Sequence, residues 1–282
     1  MPVHYRSRIK QYPGQRFRLS FRQLLLAILF PLLVNLGCHT GSAQKTSPVF
    51  VWDRLEGSRV VMDSTLAADP AIEQYVAPYR QRLQQMMATV IGHAAEDLYR
   101  ARPDGPLNRF ISEAMLEQVK NYTTDTVQVA VTNIGGIRAN ISAGPIRLGK
   151  IYEVLPFENE LVVVVLTGEQ LLQLAREIAE VGGECIAGMT LFVRDGELIR
   201  AVLDTGHIHP QQSYRVVTTD YLSAPGRQRL GTLSRGKRIF LGVKHRQAII
   251  DAIRERQQRG EPIRDPAKKR VIEVAKNGDL RG

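Results

Sequence analysis

The segment Asn133-Ile134-Gly135-Gly136-Ile137-Arg138 is the part of the sequence best equipped to handle a ligand. It follows an alternating run at 126–132 that reads as a strand, so a turn at a strand end is expected there. Two adjacent glycines, Gly135 and Gly136, would let the backbone take unusual dihedrals and come close to a bound molecule. The amide of Asn133 suits a polar ring edge, and the guanidinium of Arg138 suits an anion. Taken alone, the pattern is equally that of an ordinary Gly-Gly turn. A second candidate is Gly206-His207-Ile208-His209, whose two imidazoles would share a face in an extended segment. Pro210 follows and no carboxylate cluster accompanies the pair, whereas a catalytic metal takes at least three protein ligands. No metal is assigned to it. Neither a Gly-x-Ser-x-Gly elbow nor a phosphate-cradling Gly-Lys-Ser/Thr loop occurs, so no catalytic residue is assigned.

The elements that must position these residues follow from periodicity. Ile72, Tyr75, Val76, Tyr79, Leu83, Met86 and Met87 recur at three- and four-residue spacing, which predicts a helix over 71–91. Pro78 inside it predicts a kink or a later start. A Pro- and Gly-containing loop at 101–107 precedes a helix over 108–120. The β-branched run at 161–166 suits a strand buried on both faces. Thr167, with Gln170 three residues on, gives a capping pattern for a helix over 169–180. Segments 189–193 and 198–203 flank Asp195-Gly196, a hairpin signal. Residues 60–64 and 214–219 read as strands and 245–258 as an amphipathic helix. Strands and helices mix without strict alternation, so the expected class is α+β, in a single domain over 58–275.

Apolar residues make up 44% of the 282, enough for a sizeable core. The first 43 residues carry six basic residues and no acid, then an apolar run at 24–36 and small residues. That is the layout of a secretory signal peptide, and the run falls short of the roughly 20 residues a membrane span needs. Cleavage is expected after Gly41-Ser42-Ala43, or else at a lipoprotein junction between Gly37 and Cys38 that would tether the chain to a membrane surface. Export to the periplasm or cell surface follows, with 44–57 a polar lead-in and 276–282 a tail. Cys38 and Cys185 are the only cysteines, so the mature chain holds no disulfide and no thiolate zinc site. The net charge of +10 is uneven: residues 44–226 have 16 Lys/Arg against 22 Asp/Glu, and 227–282 have 16 against 6. The basic segment would meet a phosphate or an anionic surface, or else form a solvated helix face. Aromatics at 6% and no reading-helix signature exclude nucleic-acid recognition.

The run TNIGGIRANISAGPIRLGKIYEVLPFENELVVVVLTGEQL resembles the C-terminal domain of the 5'-nucleotidase family, whose motif reads Asn-Gly-Gly-Gly-Ile-Arg. The family's later landmarks recur in order as Gly144-Pro145-Ile146, Leu155-Pro156-Phe157, 161–166, Thr167-Gly168 and YRVVTTDYLSAPG. In that family this domain holds the nucleoside, while a metallophosphoesterase domain supplies two metals and the attacking water. The resemblance implies that Asn133 contacts the base and Arg138 the phosphate or ribose. It also implies that Phe157 and Tyr221 sandwich the base, and that Arg102 or Arg100 supplies a further arginine. Two departures stand out. Ile134 replaces a glycine and is expected to narrow the room beside the ligand. Arg227 stands where the family has an aspartate that accepts from the ribose, and it cannot accept a hydrogen bond. The Asp-x-His and Gly-Asn-His-Glu metal signatures are absent from the 282 residues. The resemblance therefore implies the nucleotide- or nucleoside-binding domain of a split 5'-nucleotidase. No cofactor would be held in this chain, and the divalent metals would sit in a separate metallophosphoesterase subunit. The alternative is a non-catalytic scaffold that has lost nucleotide affinity.

Overall fold

The computed structural model describes residues 63, 66–226 and 230–275. The signal segment 1–43, Cys38, the lead-in 44–57, most of 60–64, Arg227 and the tail 276–282 lie outside the described residues. Two compact units divide the chain, Met1–Leu66 and Ala67–Gly282, and every element below belongs to the second.

Helix α1 (Pro70–Ala88) starts where Asp69 Oδ1 accepts from Ala71 N at 2.8 Å, with Pro70 in the first turn, where a missing N–H costs nothing. Pro78 lies inside it. Its apolar stripe does not face a core: Ile72, Tyr75, Tyr79, Leu83 and Met86 are exposed. The expected extension to residue 91 fails because Val90–Ala94 is a strand, β1, paired antiparallel with a later one. Next come α2 (Pro106–Gln118) and β2 (Val129–Thr132), then β3 (Gly144–Arg147) and the short α3 (Leu148–Val154). Strand β4 (Glu160–Thr167) leads into α4 (Gly168–Glu180) through the predicted capping box. Thr167 Oγ1 accepts from Gln170 N at 3.2 Å, and Gln170 Oε1 accepts from Thr167 N at 2.9 Å. Strand β5 (Cys185–Ala187) precedes the predicted hairpin β6 (Met189–Arg194) and β7 (Glu197–Leu203). Asp195 and Gly196 at its tip have φ of 51° and 81°, which a two-residue turn of matching twist requires. The chain continues through β8 (Ser213–Thr219), the one-turn α5 (Asp220–Ser223) and β9 (Lys237–Lys244). It ends in α6 (His245–Gln258) and β10 (Val271–Glu273).

The larger sheet has order β5-β2-β8-β4-β9, with β2 and β8 parallel and the other pairs antiparallel. Its β4 strand is buried on both faces, and the residues divide by parity. Leu161 and Val163 of β4 enter a core shared with α2 and α6, while Val162, Val164 and Leu166 enter a second core shared with α4. The three-stranded sheet β10-β6-β7 packs into that second core through Met189, Leu191, Leu203 and Val271. This mixed arrangement is the expected α+β class.

Charge ties the basic C-terminal stretch to the acidic body. Arg270, almost wholly buried, pairs with Asp204 at 2.7 Å and with Glu113. Lys268 reaches Asp204 at 2.6 Å and Arg256 reaches Glu117 at 2.6 Å. Arg109 on α2 returns the contact to Asp265 at 2.5 Å. Several of the segment's charges are thus met inside the molecule.

Candidate functional site

All five strands of the larger sheet deliver a residue to the same end of it. Asn133 follows β2, and Tyr221 follows β8, the parallel neighbour. Phe157 and Asn159 precede β4, and Glu184 precedes β5, both antiparallel to those strands. His245 follows β9. The register fixes this, with Thr132 opposite Cys185, Leu161 opposite Thr219, and Glu160 opposite Lys244.

All of these but His245 line a cleft of about 640 Å³. Of the residues singled out in the sequence, Asn133, Gly135, Gly136, Arg138, Phe157 and Tyr221 line it, and Arg102 does not. Asn159, Glu184, Leu222, Gly226 and Leu230 complete the lining. Phe157 and Tyr221 are 48% and 42% exposed, so two aromatic side chains are left partly uncovered at a concave surface. Covering them with a planar apolar ligand face would recover the burial that folding leaves incomplete.

The glycine segment forms a short 3-10 turn, Ile134–Gly136, capped by Asn133. Neither Gly135 nor Gly136 has a positive φ, so unusual dihedrals are not what glycine provides here. What it provides is space. A Cβ on Gly135 would lie 3.3 Å from Asn133 Nδ2, and one on Gly136 would lie 3.3 Å from Asn133 Oδ1. The Asn133 amide thus folds back over its own turn. Ile134 does not narrow the cleft as expected. Its side chain is 7% exposed, belongs to the core beneath α2 and α6, and is absent from the cleft lining.

Glu184 holds this turn in place. It is almost wholly buried, and its Oε2 accepts from the Ile134 N–H at 2.6 Å. Its Oε1 accepts from Arg102 Nη2 at 3.2 Å, and Arg102 also donates to the carbonyls of Val181 (2.7 Å) and Gly183. Arg102 therefore braces the turn through Glu184 without lining the cleft. Arg100 braces the far end, donating to the Ile137 carbonyl at 2.6 Å. Arg138 is different. Its backbone is fixed on the Val154 carbonyl at 2.8 Å, but its exposed guanidinium makes only a long 3.4 Å contact to the Gly135 carbonyl. Among the described residues it has no carboxylate partner.

The Phe157 loop is clamped from below by Arg246. That side chain is nearly buried, donates to the Leu155 carbonyl at 2.9 Å, pairs with Glu158, and lies 4.0 Å from the centroid of the Tyr152 ring. On the opposite wall Leu230 is held at φ 56° with its side chain buried, a backbone state costing about 1–3 kcal/mol for a residue with a Cβ. His245 lies beneath the cleft, its backbone N–H on the Asn159 carbonyl at 2.8 Å. Burial pushes its imidazole pKa down to about 4.

His207 and His209 are exposed before β8, whose first residue, Ser213, pairs with Thr167 at the other end of the sheet. Among the described residues no group of three or more His, Cys, Asp or Glu could hold a metal ion. A dimetal centre does not fit the residues around the cleft, and no hydrolytic step is assigned to them.

Sequence reasoning missed Glu184, Asn159 and His245. Asn159 had a signal, since it stands two residues after Phe157 and so shares its face in an extended segment. Glu184 had a weaker one, an acid set between Gly182-Gly183 and an apolar triplet.

The cleft, with its two aromatic side chains, lies at the end of a mixed sheet, and comparison with known proteins gives the family. The profile of the 5'-nucleotidase, C-terminal domain, matches residues 90–234, and the chain belongs to that family. It is 29% identical over 195 residues to the trifunctional nucleotide phosphoesterase protein YfkN of Bacillus subtilis (strain 168), covering 62% of this chain and 13% of that protein. It is 25% identical over 181 residues to the 5'-nucleotidase of Vibrio cholerae serotype O1, covering 61% of this chain and 32% of that protein. The solved 5'-nucleotidase precursor of Thermus thermophilus superposes with a TM-score of 0.62 at 25% identity, covering 72% of this chain and 43% of that one. The chain thus spans less than half the length of each.

Proposed function

We propose that this chain is the nucleotide- or nucleoside-binding component of a split 5'-nucleotidase, exported from the cytoplasm. It would position substrate for a dimetal centre supplied by a metallophosphoesterase chain. The observation that carries the reading is the cleft itself, with half-exposed Phe157 and Tyr221 at one sheet end. Among the described residues the Asn133 and Asn159 amides have no hydrogen-bond partner, and the Arg138 guanidinium has no carboxylate partner and only its long contact to the Gly135 carbonyl. Base–aromatic stacking is worth roughly 1–3 kcal/mol and tolerates different bases, and an unpaired arginine suits a phosphate. The lack of a metal-ligand group among the described residues supports a division of labour in which hydrolysis is performed elsewhere.

Calorimetric titration of the mature chain with AMP, adenosine and UDP-glucose, without metal, tests this. Micromolar binding of AMP that weakens at least tenfold in Arg138→Ala, with adenosine affected less, supports a substrate site with Arg138 on the phosphate. Absence of binding to all three leaves the scaffold reading in its place.

A further inference from the structure

Beneath the main cleft lies a second cavity of about 10 Å³, bounded by Thr132, Asn133, Gly136, Leu155, Phe157, Asn159 and His245. Asn133, Gly136, Phe157 and Asn159 line both spaces, so the small cavity opens under the ring position beside Phe157. Its floor is unusual. His245 is 5% exposed, and its Nε2 is buried without a hydrogen-bond partner among the described residues. A buried ring nitrogen left unpaired is expensive, and native structures pair such groups with protein, water or ligand. The cavity has about the volume of one water-sized probe, and its lining includes the polar side chains of Thr132, Asn133, Asn159 and His245, whereas an ordered water needs two to four polar partners. The amide side chains of Asn133 and Asn159 are available as partners, since neither hydrogen-bonds another described residue. Nothing in the sequence marked His245, because it reaches the cleft only through the pairing of β9 with β4.

We infer that His245 is a specificity-determining residue: through one water in this cavity, shared with Asn133 and Asn159, it reads the edge of the ring that lies against Phe157. The ligand class is a planar heterocycle whose edge bears an exocyclic oxygen or nitrogen, as against an edge of C–H groups alone. The imidazole is well suited to this. It is neutral, since burial and its place at the start of α6, the positive end of the helix dipole, both disfavour the imidazolium. A neutral ring with a bridging water serves either a donor or an acceptor on the ligand, so the position selects for polarity at that edge and not for one base.

The inference rests on the binding role proposed above, and the experiment separates the two. Inosine, adenosine and purine riboside, which lacks an exocyclic group, are titrated into the full mature chain and into His245→Phe. The wild type is expected to prefer inosine or adenosine to purine riboside by about tenfold, the worth of one hydrogen bond at a buried position. In His245→Phe the preference is expected to collapse toward one while affinity for purine riboside stays within twofold. A merely structural role would weaken all three ligands together and leave their ratio intact, which overturns the inference. The wild-type ratio needs no variant: a chain that binds all three equally overturns it even if His245→Phe does not fold. A wild type that binds none of them removes the binding role itself.

Discussion

His245 makes acid stability a sharp test of how its site is built. Its imidazole pKa falls from 6.5 to about 4 because the folded chain removes it from water. The folded value lies below the unfolded one, so between pH 6.5 and about 4 the unfolded chain takes up a proton that the folded chain refuses. Stability is therefore free of this penalty above pH 6.5 and declines as the pH falls through the window. At about 1.4 kcal/mol per unit, the displacement from 6.5 to about 4 amounts to roughly 3 kcal/mol by pH 4. His245→Gln does not titrate and lacks this slope. The carboxylates that ion pairs hold below their usual 3.8, Asp204 and Asp265, lose their contribution only as pH falls below that value, and they are common to both proteins. Urea denaturation of wild type and His245→Gln at pH 7.5, 6.5, 5.5 and 4.5 isolates the residue as a difference between two curves. The wild type should lose stability relative to His245→Gln by about 1 kcal/mol per pH unit below pH 6. Parallel curves would refute the reasoning, because they would mean that the folded chain accommodates the imidazolium with water or a countercharge.

Four further outcomes follow from the contacts in and around the cleft. Glu184→Gln replaces one carboxylate oxygen with a donor facing either the Ile134 N–H or Arg102; a loss of about 1–3 kcal/mol in urea is expected, with weakened nucleoside binding as the 133–136 turn loosens. Gly136→Ala meets no backbone strain and only displaces the Asn133 amide, so its melting temperature should hold within about 2 °C while ligand affinity drops about tenfold by calorimetry. Gly188→Ala should do the reverse and unfold the protein by circular dichroism, since φ is 77° and the new Cβ would lie 2.0 Å from the Gln128 carbonyl oxygen. Arg246→Lys keeps the charge but loses the planar fork that holds Leu155, Glu158 and Tyr152 together; a stability loss of about 1–2 kcal/mol should accompany weaker stacking on Phe157, read by quenching of ligand fluorescence.

Much of the frame was legible because its signals are local. The capping box at Thr167, the Asp195-Gly196 turn and the doubly buried run of β4 each need only a few neighbouring residues to specify them. Elements that the sequence concealed are short or sit at a sheet edge. Cys185–Ala187 is three residues long, and Lys237–Lys244 carries three cations that blunt its strand pattern while keeping an outer strand from pairing elsewhere. The exposed stripe of α1 shows the converse, since periodicity announces a helix but not what covers it.

The same division explains which half of the site could be read. Asn133, Gly136 and Arg138 come from one turn, and Phe157 and Tyr221 from motifs of the same family pattern, so a linear reading finds them. Glu184 and His245 are different in kind. Each stands beside a strand whose own pattern is weak, and Glu184 reaches the cleft, and His245 the cavity beneath it, only because that strand is antiparallel to its neighbour. Both are buried titratable side chains, Glu184 in the cleft lining and His245 in the small cavity beneath it, where an error of placement costs most. The surface of this cleft is written in the sequence as motifs, whereas its foundation is written in the register of five strands. Substitutions on the surface, and at His245, should therefore change what binds, whereas substitution of Glu184, which holds the 133–136 turn, should change whether the site assembles at all.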